Sequence, residues 1–130
     1  LSLPITSHAR RGSFNPNADV FVTQGGSMIV VRVELAGVSR DNIKLVVEGC
    51  SLYLAGVRQN DAHGCEQVLQ KEIEWGYFFK KVPLPTQVAV NDARAEYQGG
   101  MLTVSLPVSE NARVVPADRV EIRMVVRGKA

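Results

Sequence analysis

The chain is poor in the residues that most often carry catalysis. Its 130 residues include only two histidines, two cysteines and one tryptophan. His8 lies near one terminus and His63 lies in a polar segment, and neither belongs to a recognisable nucleophile or acid–base constellation. A phosphate-binding Gly-x-x-x-x-Gly-Lys loop is missing as well. We therefore expect no catalytic residues, no enzymatic activity and no ATP-driven mechanism.

Cysteine is too scarce for a disulfide framework. The two thiols, Cys50 and Cys65, would stay reduced in a cytosolic setting, so we expect them to be free. The run His63-Gly64-Cys65 hints at metal ligation, but a structural zinc site needs four ligands, usually in closely spaced pairs. The sequence therefore predicts no metal site and no cofactor.

Long apolar runs are also absent. No run approaches the roughly 18 residues that a membrane-spanning helix needs, and the N-terminus lacks the apolar stretch of a secretory signal. We expect a cytoplasmic protein without a membrane partner. The chain begins with Leu1 rather than methionine, which leaves open whether part of an N-terminal arm is missing.

The charge is small and unevenly distributed. Residues 1–17 sum to +2, residues 18–112 to −3 from eight basic and eleven acidic side chains, and residues 113–130 to +3. No aromatic residues are interleaved with the basic ones, so the ends are predicted to be solvated arms without a nucleic-acid partner.

Short alternating runs between turn residues indicate a β protein. In one of them Ile43, Leu45 and Val47 share a face. About seven short strands predict one antiparallel β-sandwich. Residues 65–75 also fit a helical period, so a helix is an alternative there, whereas Pro83 and Pro85 exclude a helix or central strand around Leu84. The predicted strands are 19–23, 28–35, 43–48, 52–57, a long run over 68–82 broken by Gly76, 90–97 and 101–106.

A glycine pair separates the last two alternating runs. Gly99-Gly100 predicts a tight turn, because glycine takes positive φ at little steric cost. Around it, Ala95, Gly100 and Leu102 give the spacing Ala-x-x-x-x-Gly-x-Leu. This spacing resembles the signature of the small heat-shock proteins, the α-crystallin-domain family.

Further landmarks of that family follow in the correct order over residues 18–108. Residues 31–38 are similar to its strand ending in Leu-Pro-Gly-Val, with Ala36 in place of proline, and residues 52–58 to its Leu-x-Ile-x-Gly-x-Arg. Residues 75–85 follow Gly-x-Phe-x-basic and then Leu-Pro. In the final motif, Gly99 stands where Asn or Asp is usual and Met101 where valine is usual.

The resemblance implies a fold and a function. It implies an immunoglobulin-like β-sandwich of seven to eight strands over 18–108, an N-terminal arm over 1–17 and a C-terminal extension over 109–130. The implied function is that of an ATP-independent holdase, a chaperone that binds partly unfolded proteins and prevents their aggregation under heat or other stress. Its partners would be non-native client proteins and further copies of itself, as homodimers and higher oligomers.

The resemblance also implies a strand exchange between subunits. In that arrangement the loop after Arg58 reaches a second subunit and pairs with its edge strand. The alternative is a surface hairpin folded on its own domain. The implied exchange residues are Asp19, Val20, Phe21 and Val22 on the edge strand and Glu66, Gln67, Val68 and Leu69 in the loop.

A second implied contact lies in the tail. Val120 and Ile122 are spaced two apart, so both point to one side of an extended segment, and they resemble the family's Ile-x-Ile/Val anchor. The alternative is that 120–126 is an eighth strand of the same domain. The implied tail-binding groove residues are Ile43, Leu45, Val47, Ala95 and Tyr97.

Two rival functions remain. A CS-domain-like adaptor would be a monomeric sandwich that binds one folded chaperone, but the Val120-x-Ile122 anchor and the exchange loop favour the small heat-shock interpretation. A secreted adhesion or ligand-binding sandwich is a third interpretation, which nothing in the sequence supports.

Overall fold

The computed structural model describes residues 14–61, 67–109, 119–122 and 124–125. At 119, 120, 124 and 125 it describes the backbone alone. The described residues form strands and three short 3-10 turns, and none of them lies in an α-helix. The strands are β1 (Ala18–Thr23), β2 (Met28–Glu34), β3 (Ile43–Glu48), β4 (Ser51–Arg58), β5 (Gly76–Pro83), β6 (Arg94–Gln98), β7 (Met101–Pro107), β8 (Arg119–Glu121) and β9 (Met124–Val125).

The strands make two packed sheets, which confirms the predicted β-sandwich. One sheet has the order β1-β2-β7-β6-β9 and the other the order β5-β4-β3-β8. Every pair of strands is antiparallel except β6 and β9, which run parallel. Within the described residues β1 and β5 are therefore outer strands, and the tail strands β8 and β9 occupy the other end of each sheet.

Alternation along β2 shows why the sequence folds this way. Ile29, Val31 and Val33 are fully buried, whereas Arg32 and Glu34 point to solvent. Strands with one apolar face cannot be stable alone, so the two sheets bury these faces against each other. The main cluster also contains Leu35, Leu45, Val47, Leu52, Leu54, Phe78, Val82, Ala95, Leu102, Val104 and Leu106.

The predicted glycine turn between β6 and β7 is confirmed. Gly99 and Gly100 have φ of 63° and 79°, values that favour glycine, and Gln98 pairs with Met101 across the turn. The two-residue connection fixes the register of β6 against β7, so that Ala95 lies opposite Val104 and Tyr97 opposite Leu102.

Two predicted strands are shorter than expected. The run predicted over 68–82 is a strand only from Gly76, because residues 67–75 pair with no strand that the structure describes and form no helix. The run predicted over 90–97 starts as a 3-10 turn, Val90–Asp92, in which the amide of Asp92 donates to the carbonyl of Ala89. Asparagine and aspartate favour such turns, so β6 begins only at Arg94.

Candidate functional site

The first candidate surface is the outer strand β1. The amide of Glu34 donates to the carbonyl of Asn17, so odd-numbered residues of this strand pair with β2. Because hydrogen-bonding direction alternates along an antiparallel strand, the backbone groups of Ala18, Val20 and Val22 face away from the sheet. Within the described residues, nothing pairs with them. A row of unpaired donors and acceptors of this kind invites the addition of another strand.

Two valines of β1 lie on the inner side of the sheet but remain uncovered. Val20 lies opposite Val31 and Val22 opposite Ile29, and both of those partners are fully buried. Neighbours across a strand pair share a face, yet Val20 is 41% exposed and Val22 is 51% exposed. The opposite sheet therefore does not reach far enough to cover this end of the core. On the outer face of β1, the Phe21 ring lies under the guanidinium of Arg32, 5.8 Å from its centroid.

The predicted exchange segment is the most apolar exposed loop that the structure describes. Val68, Leu69 and Ile73 are 69%, 88% and 59% exposed. Gln67 is also exposed, whereas the predicted exchange residue Glu66 lies outside the described residues. Three large apolar side chains in water on one loop are a signature of an interaction site. The predicted exchange residues of β1, Asp19, Val20, Phe21 and Val22, are all exposed, so the described part of the loop does not cover them.

Arg58, the last residue of β4, fixes the base of this loop. Its guanidinium donates to the carbonyl of Glu74, from Nε at 2.9 Å, and to the carbonyl of Ala36 at 2.9 Å. It also lies 3.7 Å from the centroid of the Phe14 ring and 5.4 Å from that of Trp75. One planar cation thus joins the turn after β2, the end of the loop and the segment that precedes β1. Sequence reasoning missed this role, although the Gly-x-Arg spacing marked the residue.

The second candidate surface is the side of the sandwich where the tail lies. β8 pairs antiparallel with β3, placing Val120 opposite Val47. The amide of Ile122 donates to the carbonyl of Leu45 at 3.0 Å, and the Ile122 side chain is buried in the main core cluster. In this single chain the tail therefore adds to its own domain, but as two short strands in different sheets and not as the one strand of the alternative interpretation. Docking of the tail on a second subunit stays a prediction.

The predicted groove residues line this same side. Leu45, Val47 and Ala95 are buried, and Ile43 and Tyr97 pack against the core from partly exposed positions. The Tyr97 hydroxyl lies 2.6 Å from the carbonyl oxygen of Leu35 and 2.7 Å from that of Val38, and its proton can be donated to either. Burial raises the pKa of Tyr97 above its ordinary value of 10.0, against the opposing effect of the nearby Arg58 charge.

The structure offers little basis for other chemistry. Among the described residues no group of histidine, cysteine, aspartate or glutamate side chains could hold a metal ion. Cys50 is a free thiol, whereas Cys65, His8 and His63 lie outside the described residues. No helix in the described part of the chain is long and apolar enough to cross a membrane.

A sandwich with open strand edges, an apolar loop beside one of them and a tail strand on the other side is the architecture of a small heat-shock protein. A sequence model of the Hsp20/alpha crystallin family matches residues 22–123. The chain belongs to this family. Ala95, Gly100 and Leu102, the residues predicted to carry the family motif, lie at the β6–β7 hairpin, within the matched range.

Individual relatives agree with the family match. The chain is 32% identical to the 19.0 kDa class II heat shock protein of Oryza sativa subsp. japonica, over 82% of this chain and 67% of that protein. It is 26% identical to Small heat shock protein C4 of Rickettsia felis, over 86% of this chain and 68% of that protein. Membership of this family implies a chaperone role, and the family is not one of enzymes.

Solved structures show the same fold. Heat shock protein 16.0 from Schizosaccharomyces pombe superposes with a TM-score of 0.67 at 24% identity, covering 79% of this chain and 94% of that chain. The hspA protein from Xanthomonas axonopodis superposes with a TM-score of 0.66 at 20% identity, covering 74% of this chain and 95% of that chain.

Proposed function

We propose that this protein is an ATP-independent holdase that binds partly unfolded proteins and keeps them from aggregating. The observation that carries the proposal is the open edge of β1, where no described residue pairs with the backbone groups of Val20 and Val22 and their side chains are half exposed. Strand addition uses main-chain hydrogen bonds, which every polypeptide can make. An edge of this kind therefore suits clients of many sequences.

The same edge supports a strand-exchanged homodimer. The loop of one copy offers Val68 and Leu69, both largely in water, and the β1 strand of the other offers half-exposed valines on an edge that no described residue covers. Pairing the two would satisfy the free backbone groups and cover both sets of apolar side chains. Clients and neighbouring subunits would then compete for one surface, and loosening of the dimer by heat would expose it.

The tail supports assembly beyond the dimer. We propose that residues 109–130 form an extension whose Val120 and Ile122 also dock in the groove of another copy, between β3 and β6. Burial of one such side chain contributes about 1.5–3 kcal/mol before ordering costs, so a single anchor binds weakly. Several anchors in one assembly hold through their high effective concentration. The small net charge of +2 supports a role without nucleic acid, and we propose the cytosol as its location.

Light scattering of a heat-aggregating client enzyme tests the function. We expect equimolar protein to suppress the scattering in the absence of nucleotide, and added ATP to change nothing. An inert protein at the same mass concentration is the control. Unchanged scattering at equimolar protein would contradict the proposal. Native mass determined in parallel separates it from a monomeric adaptor, which would elute as a single subunit.

A further inference from the structure

The tail continues past its Val-x-Ile anchor and reaches the other sheet. Beyond Ile122 the next described residues form β9, which pairs in parallel with β6, with Ala95 opposite Met124 and Glu96 opposite Val125. The preceding strand, β8, belongs to the opposite sheet. One short segment therefore extends both sheets of the sandwich.

The backbone of β6 is oriented to receive this strand. In a two-residue hairpin the residues that flank the turn form a hydrogen-bonded pair, here Gln98 and Met101. Counting back from that pair, the backbone groups of Ala95 and Tyr97 face away from β7. Val125 lies opposite Glu96, the residue between them, so the amide and carbonyl of Val125 face Ala95 and Tyr97.

The backbone of β3 is oriented in the same way toward β8. The carbonyl of Leu45 accepts the amide of Ile122 at 3.0 Å, so Leu45 and Val47 present their backbone groups to the tail. The tail strands thus cover the edges of both β3 and β6 on this side of the sandwich. The side chain of Ile122, which lies between the two tail strands in sequence, is buried at 7% exposure.

We propose that the docking element of the tail comprises both described tail strands, with β9 on β6 as a second anchor beside the Val120-x-Ile122 anchor on β3. The occupant of this groove in the assembly is the tail of another copy of this chain, whereas in the single chain the tail fills its own groove. The inference deepens the proposed tail docking and rests on it for its role in assembly. A segment that bridges two sheets is held at both ends, so releasing it requires both pairings to open.

Replacing Val125 by proline or by alanine in the full chain tests the proposal. Proline removes the backbone donor that faces Ala95, whereas alanine keeps it. We expect Val125→Pro to accelerate hydrogen exchange at the amides of Ala95 and Tyr97 by about tenfold or more, to leave the Ile122 amide the slower of the tail amides, and to reduce the share of species larger than a dimer. Val125→Ala should keep both amides near the wild-type rate.

Two results would overturn the second anchor. One is wild-type exchange at Ala95 and Tyr97 in Val125→Pro, and the other is faster exchange there with no loss of large species. The variant Ile122→Ala separates this inference from the proposed function. If Ile122→Ala removes the large species and Val125→Pro does not, tail docking stands and the second anchor is wrong. If neither variant lowers the mass, the proposed tail linkage itself fails.

Discussion

The double variant Val20→Thr/Val22→Thr should weaken the dimer without unfolding the subunit. Threonine has nearly the same shape and β propensity as valine, so β1 should still form on β2. Its hydroxyl, however, opposes burial under the loop of a partner. In the single chain these two side chains are 41% and 51% exposed, which is the surface that a partner would cover.

The expected loss of dimer stability follows from the exposed fractions of these two side chains. Complete burial of a valine contributes about 1.5–3 kcal/mol, so covering the exposed fractions of both contributes about 1.4–2.8 kcal/mol for each copy. A symmetric dimer contains the contact twice, which gives about 3–5.5 kcal/mol. If the threonine substitutions remove about half of this dimerisation free energy, the dimer dissociation constant rises roughly 10- to 100-fold.

Sedimentation velocity over a dilution series measures this constant. Val57→Thr is the matched control, because Val57 is a partly exposed valine on β4, in the sheet that does not contain β1. We expect the control to dimerise like the wild type. A dissociation constant of the double variant within twofold of the wild type, or an equal effect of the control, would refute the role assigned to the β1 edge.

Three further predictions concern the residues that shape the site, each measured as a free energy of unfolding in urea. Gly56→Ala should cost about 3 kcal/mol, because the new Cβ would overlap the backbone carbonyl oxygen of Asn42. Gly99→Ala has open space around it and should cost about 1 kcal/mol, and similar losses in the two variants would contradict the packing argument. Arg58→Lys should cost about 2 kcal/mol, because lysine cannot donate to both carbonyls and also stack on the aromatic rings. Its control, Arg32→Lys, should cost less than about 0.5 kcal/mol. Equal costs of the two variants would show that the guanidinium geometry of Arg58 is unimportant. Tyr97→Phe should cost about 1–2 kcal/mol. The raised pKa of Tyr97 favours its neutral form in the folded protein, so the stability advantage of the wild type over Tyr97→Phe should shrink as pH rises above about 10. Parallel pH profiles of the unfolding free energy of the two proteins would contradict this prediction.

Local patterns were sufficient to predict most of the fold. The strand predicted over 43–48 is β3, because alternation and flanking turn residues are properties of the segment itself. The Gly99-Gly100 turn was predictable for the same reason, since positive φ selects glycine. These features need no knowledge of which segments meet in space.

Features that depend on contacts distant in sequence could not be predicted. Residues 67–75 contain Val68, Leu69 and Ile73, yet they pair with no strand in the described part of the chain, so local composition overestimated that strand. The hydrogen bonds of Arg58 join residues 16 and 22 positions away, and no spacing rule indicates them. β9 has two residues in a parallel pair, too short for any periodic signal.

Hydrogen exchange at the amides of Val20 and Val22 in the assembled protein tests the central claim most directly. These amides face away from β2 and, among the described residues, have no partner in the single chain. If a second copy pairs with this edge, both should exchange slowly at concentrations where the protein is dimeric and should become fast on dilution to the monomer. Fast exchange at both amides in a sample whose mass is that of a dimer or larger would contradict the account.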